Sequence, residues 1–169
     1  MGRVSNRKNK KIYQKCRENL GLSREKASEL LKTISADRID KIESEKFTPY
    51  PEEVYEMAKI YKRPDLCNYF CTHECTIGQN TMSEIKIKDL SQIVLEMIAS
   101  LNSMRYKQER LIEITVDGII QDDEIKDLIM IQKELDKITM TTETLRLWIN
   151  QMLANNKIDQ EKYDFYKEK

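Results

Sequence analysis

Four side chains with soft metal-binding atoms lie within nine residues of one another: Cys67, Cys71, His73 and Cys75. Zinc prefers thiolate and imidazole ligands, but structural zinc sites usually take them from two separated parts of a chain. The three cysteines instead recur every four residues, which also suits one buried face of a helix. We therefore expect reduced thiols and no cofactor here, with zinc binding as the lesser alternative.

A second metal-like pattern lies at 113–124, where Gly118 and Glu124 have the spacing of a calcium-binding loop. The loop departs from the pattern at its first and third ligand positions, which are Glu113 and Thr115. The pair Asp117-Gly118 is accounted for by a simple turn between two helices. We expect no metal at this segment.

The distribution of charge narrows the class of function. The 169 residues contain 29 Lys+Arg and 29 Asp+Glu, but the balance is uneven along the chain. Residues 1–63 carry 16 basic and 10 acidic side chains, whereas residues 64–169 carry 13 basic and 19 acidic ones. This asymmetry predicts a module that faces a polyanion, joined to an acidic module.

Composition also excludes several classes of protein. No stretch approaches the ~18 consecutive apolar residues that span a bilayer, and no apolar run follows the basic start, so we expect a cytoplasmic protein without membrane contact. With 4 Gly and 3 Pro, the chain has few of the turns that strands require, which favours an all-α fold. A single histidine, and the lack of a glycine-rich phosphate loop or nucleophile motif, argue against an enzyme.

The first half of the sequence predicts five short helices. Apolar residues recur there at spacings of three and four, and Ser23, Ser35 and Pro51 stand at positions typical of helix starts. Helices are expected at 8–20, 24–31, 36–44 and 51–61, with a fifth that begins near Pro64. Two short helices joined by a tight turn describe a helix-turn-helix module.

Three segments of this module resemble a known family: 17–31 (RENLGLSREKASELL), 34–43 (ISADRIDKIE) and 51–61 (PEEVYEMAKIY). They are similar to the XRE type of helix-turn-helix regulator, the lambda-repressor/Cro-like class. The resemblance covers about residues 7–70, and 69–78 (YFCTHECTIG) is similar to the tail of a clostridial-type subgroup. It implies a five-helix DNA-binding domain and a sequence-specific transcriptional regulator.

On this resemblance, helix 36–44 enters the major groove of double-stranded DNA. Because Ile39 and Ile42 face inward, the outward side is left to Ala36, Asp37, Asp40 and Lys41. The resemblance assigns base reading to these four outward residues. Asp37 and Asp40 are unusual residues for a DNA-reading face, because a carboxylate near phosphates is unfavourable unless it meets the amino group of a base.

Other residues are expected to bind phosphates or to hold the domain together. The resemblance assigns a phosphate contact to Arg24 and a structural salt bridge to Arg17 and Glu43. Helix N-termini at Ser23 and Ser35 suit phosphates. Further contacts are expected from the loop after the recognition helix and from the basic N-terminal segment, through Ser44, Lys46, Arg3, Arg7, Lys8, Lys10, Lys11 and Lys15.

One departure concerns the turn of the motif, where Lys32-Thr33 replaces the single glycine of the common pattern. The recognition helix is therefore expected to sit at a different angle. The alternative function is a protein-interaction adaptor that uses the same scaffold without binding DNA.

The second half predicts two long helices that pack lengthwise. Apolar residues follow a three-four spacing in two series. The first series is Ile87, Leu90, Val94, Met97, Leu101, Met104 and Leu111, and the second is Leu128, Ile131, Leu135, Ile138, Thr142, Leu145, Ile149 and Met152. We expect a DNA-binding domain at 1–78 and an acidic helical domain at 84–169. Two helices cannot easily cover this much apolar surface, so the sequence favours a homodimer through them, and the alternative is an intrachain bundle.

Overall fold

The computed structural model describes residues 10–116 and 118–168, and within them it confirms an all-α fold. Nine helices and no strand occur in these two ranges. The described residues divide into two units, one formed by the chain up to Glu84 together with the residues from Ile149 onward, and the other by Ile85–Trp148. The sequence assigned 84–169 as a whole to the second domain, so the final segment belongs to a different unit from the one expected.

The part of the first unit up to Glu84 contains six small helices: α1 (Ile12–Asn19), α2 (Arg24–Leu31), α3 (Ala36–Glu43), α4 (Pro51–Ile60), α5 (Asp65–His73) and α6 (Thr76–Thr81). They enclose one apolar core, whose fully buried members include Tyr13, Ala27, Ile39, Ile42 and Leu66. Helix α6 was not expected from the sequence. It packs tightly on α5 because Gly78 is buried where a Cβ atom would collide with the backbone carbonyl of Cys71.

The turn between α2 and α3 contains an unusual backbone conformation. The Ser23 and Ser35 hydroxyls accept hydrogen bonds from Lys26 N and Arg38 N, which confirms both as N-caps. Lys32 has φ 58° and ψ −38°, and Thr33 N donates to Leu31 O at 2.6 Å. This three-residue γ-turn with positive φ is rare and strained for a residue with a side chain.

The end of the chain belongs to the first unit. Gln151 Nε2 donates to the carbonyl oxygen of Lys62 at 3.0 Å. The short helix α9 (Gln160–Lys167) follows, with the Asp159 carboxylate capping it through Lys162 N. The Gln151–Lys62 hydrogen bond joins the start of the final segment, which the sequence analysis assigned to the second domain, to the small helices.

The second unit is an antiparallel hairpin of α7 (Leu90–Ile114) and the part of α8 (Ile125–Ala154) that ends at Trp148. Two ion pairs join the helices, Lys107–Glu134 at 2.9 Å and Arg110–Asp127 at 2.7 Å. Within the described residues no helix is long and apolar enough to cross a membrane.

The residues buried in this hairpin agree only in part with the two predicted series: Ile131 is buried as predicted, but several other buried residues lie one position before a predicted one. In α7 the buried residues are Ile93, Ser100 and Ile114, whereas Val94 and Leu101 of the predicted series are substantially exposed. In α8, Glu134 and Thr141 are buried, whereas Leu135 and Thr142 are exposed. The shared apolar positions, such as Met97 and Ile131, fit either seam, so the spacing alone could not decide between them.

Candidate nucleic-acid interface

The outward face of α3 is the surface on which the sequence analysis placed base recognition. Ile39 and Ile42 are fully buried, and they anchor the helix to the core. Asp37 is exposed, and Ala36, Asp40 and Lys41 are half-buried with their outer surfaces in solvent. The expected separation into an inner apolar and an outer polar face is therefore present.

Ion pairs occupy the charged groups of this face. Lys41 Nζ lies 2.6 Å from Asp37 Oδ2 one turn earlier in the same helix. Arg24 Nη1 lies 3.2 Å from Asp40 Oδ1. Exposed pairs of this kind stabilise a protein by about 0–1 kcal/mol, so a phosphate or a base can replace the carboxylate at little cost. The two acidic residues thus lower the positive charge of the face without blocking it.

Glu43 at the end of α3 binds two arginines. Arg17 donates from Nε and Nη2 to the Glu43 carboxylate at 2.6 and 2.8 Å, and both residues are buried. Burial alone would lower the pKa of Arg17, but the hydrogen bonds to Glu43 outweigh it and raise that pKa. The salt bridge implied by the resemblance is present, and it joins α1 to α3.

Arg24 has a structural role that the sequence did not reveal. Its Nε donates to Glu43 Oε2 at 2.8 Å, so the residue expected to bind phosphate also contacts the buried carboxylate. The Arg24 side chain is 31% exposed, which leaves its outer edge for a ligand. Any substitution of Arg24 therefore affects the packing of the domain as well as the charge of its surface.

The loop after α3 is held by Arg38, a residue that the sequence analysis did not single out. Arg38 donates from Nε and Nη2 to the Glu53 carboxylate at 2.8 and 2.7 Å, and from Nη2 to Thr48 O at 3.2 Å. Its guanidinium lies 5.8 Å from the ring centre of Phe47 and 4.9 Å from that of Tyr50, and both rings are exposed. In the sequence, the two aromatic residues three positions apart were the feature from which a contact with a nearby cation such as Arg38 could have been predicted.

Ser44 and Lys46 lie in this loop as expected. Ser44 is the C-cap of α3, and its hydroxyl donates to Lys41 O at 3.3 Å. Lys46 N also donates to Lys41 O, at 3.0 Å. The Lys46 side chain is exposed and forms no ion pair with another described residue. It is therefore a cation available to an anionic partner beside α3.

The basic residues before α1 are only partly available. Lys8, Arg3 and Arg7 lie outside the described residues. Lys10 pairs with Glu18 at 2.7 Å, and Lys11 lies 3.4 Å from Glu74. With Lys15, these lysines line a depression of about 550 Å³. Lys11 thus has an acidic partner within the domain, and its contact with phosphate stays a prediction.

The three cysteines of this stretch do not all lie on one helix, because Cys67 and Cys71 belong to α5 whereas Cys75 is the N-cap residue of α6. Cys67, Cys71 and Cys75 are free, half-buried thiols packed against the core, and burial raises the pKa of Cys67 and Cys71. The His73 ring instead stacks on Tyr69, with ring centres 4.3 Å apart. Among the described residues no three His, Cys, Asp or Glu side chains come together as a metal site. Asp117 of the calcium-like segment lies outside the described residues.

No protein family model, curated protein or solved structure matches this chain. The support for a function therefore comes from the α2–α3 geometry, its capped N-termini and the charges around them. Arg24, Asp37, Asp40 and Lys41 lie together on that surface, joined by the two ion pairs described above.

Proposed function

We propose that this protein is a sequence-specific DNA-binding transcriptional regulator that inserts helix 36–44 into the major groove. The observation that carries the proposal is the outward face of α3, which is polar, solvent-accessible and fixed to the core by two buried isoleucines. A helix in this position can reach base edges, because the major groove is wide enough to admit it.

The surroundings of α3 suit a phosphate backbone on both sides. The N-termini of α2 and α3 present backbone N–H groups beside the capping residues Ser23 and Ser35, and such groups bind phosphate oxygens. On the other side, exposed Lys46 lies in the loop that Arg38 holds in place. These contacts position a protein on a duplex without reading its sequence.

The ion pairs allow the outward face of α3 to discriminate between DNA sequences. In the free protein, Lys41 is bound to Asp37 and Arg24 to Asp40. A favourable duplex would replace these pairs with a guanine acceptor for Lys41 and a cytosine amino group for an aspartate. An unfavourable sequence would leave a carboxylate facing acceptor atoms, which penalises binding.

The proposal is tested by selecting duplexes from a random pool and measuring binding of the selected duplex by fluorescence anisotropy. We expect a Lys41→Ala variant to lose about fivefold or more of its preference for the selected duplex over a shuffled one, since a specific base contact contributes about 1–3 kcal/mol. Lys59→Ala is the matched control, because Lys59 is also paired with a carboxylate one turn earlier, Glu56 at 3.3 Å. Binding should weaken strongly between roughly 50 and 200 mM salt.

The second candidate is a protein-interaction adaptor on the same scaffold. It is favoured by one observation, that both cations of the α3 face already have acidic partners. Failure to enrich any duplex, together with flat titrations at low salt, would reject DNA binding and favour the adaptor. Equal loss of preference in Lys41→Ala and Lys59→Ala would reject the role of α3 in reading bases.

A further inference from the structure

The hairpin of the second unit has one face that is apolar and exposed. At 100° per residue, Leu90, Val94 and Leu101 lie along one side of α7, next to the seam that contacts α8. Leu128 and Leu135 lie in the corresponding position on α8, one residue beyond Asp127 and buried Glu134, the two residues that pair with α7. Because α7 and α8 are antiparallel, a one-residue step in each right-handed helix turns towards the same side of the pair. The five apolar residues therefore share one face, which we call the outer face.

Charge is distributed unequally between the two sides of the hairpin. The same helical geometry places charged residues on the opposite side, among them Glu96, Arg110, Lys133 and Lys137. On the outer face the charged side chains are Arg105 and Arg146, and Arg146 is paired with Glu143 at 2.7 Å. The hairpin is thus amphipathic as a whole, with a second apolar seam that its own two helices do not cover.

We infer that the outer face binds a second copy of this chain, so that two hairpins form a four-helix bundle. An identical partner fits this face because a nearly uncharged surface can meet its own copy with little like-charge repulsion. A partner selected by charge would require a complementary pattern of charges, which the outer face lacks. In a two-fold arrangement the same patch is buried on both copies.

The size of the face agrees with a stable dimer. α7 has 25 residues and is therefore about 37 Å long, and two adjacent helices are about 20 Å wide, so the face measures roughly 750 Å². A standard stable interface buries about 800 Å² on each partner. Four-helix bundles use such heptad-spaced apolar seams in their interiors. This inference does not rest on DNA binding.

The test is sedimentation equilibrium of the full chain without DNA, over a wide range of concentrations. The wild type should be a dimer, and Leu101→Lys should raise its dissociation constant by at least about a hundredfold, because the substitution removes two buried leucines from each dimer. Leu135→Lys tests the same face from α8. Leu101 and Leu135 are 52% and 45% exposed, so circular dichroism of the variants should show the helix content of the wild type.

Leu95→Lys is the matched control. Leu95 is 69% exposed on the same helix, but it lies one residue further round α7 than Val94, on the side away from α8. This variant should dimerise like the wild type. A wild type that is monomeric at every concentration would overturn the inference. So would dimers that survive both Leu101→Lys and Leu135→Lys, or that dissociate equally in Leu95→Lys. A dimer that binds no DNA would reject only the proposed function.

Discussion

Arg24 and Arg17 donate hydrogen bonds to the same buried carboxylate, that of Glu43, with Arg24 Nε 2.8 Å from Oε2 and Arg17 Nε 2.6 Å from Oε1. One acidic side chain therefore pairs with two guanidinium groups and holds α1 and α2 against the end of α3. The orientation of the proposed recognition helix depends on this shared contact more than on any residue of its outer face.

Glu43→Ala should destabilise the protein by about 3–5 kcal/mol, because it leaves a buried arginine without its counter-charge. The free energy of unfolding in urea measures the effect. Glu29→Ala serves as the control, since Glu29 forms an exposed pair with Lys26 at 2.7 Å and should change stability by less than about 1 kcal/mol. A Glu43→Ala variant with the stability of the wild type would contradict the structural role of this pair.

Lys32→Gly should stabilise the protein by up to about 1 kcal/mol. Lys32 is the central residue of the γ-turn between α2 and α3 and has φ 58°, a conformation that glycine adopts without strain. Part of this gain is offset because glycine makes the unfolded chain more flexible. Lys32→Ala removes the same charge but keeps the Cβ atom, so urea unfolding should show no gain for it. Equal stability of the two variants would argue against backbone strain at this turn.

Glu53 should make the stability of the first unit depend on pH in the acid range. Burial raises the pKa of Glu53, but the hydrogen bonds from Arg38 and from Tyr50 N outweigh it, and the net shift is downward. A lowered folded pKa stabilises the protein above the unfolded value of about 4.3, and this contribution is lost as pH falls through the folded pKa.

The stability difference between wild type and Glu53→Gln should therefore shrink as the pH falls below about 4.3. Urea unfolding at a series of pH values measures this difference. Arg38→Gln removes the donor and should reduce the same acid dependence. A difference that stays constant from neutral to acid pH would mean that Glu53 does not contribute in this way.

The local signals in the sequence predicted local structure well. Ser23 and Ser35 act within three residues of themselves, so both caps could be assigned from the sequence. The Arg38–Glu53 contact joins residues 15 positions apart, and it depends on how the loop after α3 folds back. The partners of Arg24 were hidden for the same reason, because Asp40 and Glu43 reach it only after α2 and α3 have packed.

The seam of the hairpin was missed for a different reason. The predicted positions Val94, Leu101 and Leu135 are apolar, whereas the buried positions beside them are Ile93, Ser100 and Glu134. A periodicity argument favours apolar over polar residues, so it cannot predict a seam that buries serine and glutamate against a neighbouring helix. Buried Glu134 also obtains a partner, Lys107, that periodicity does not reveal.

Gly78 is a position at which the protein tolerates no other amino acid without a change of backbone. Any other amino acid at this position would push the Cys71 carbonyl aside, since the hindrance comes from backbone and not from a movable side chain. Surface positions nearby, such as exposed Ile77, carry no such restriction. Descendants of this gene should therefore vary freely on either side of a glycine that hardly changes, and that single invariant position would help to identify distant relatives.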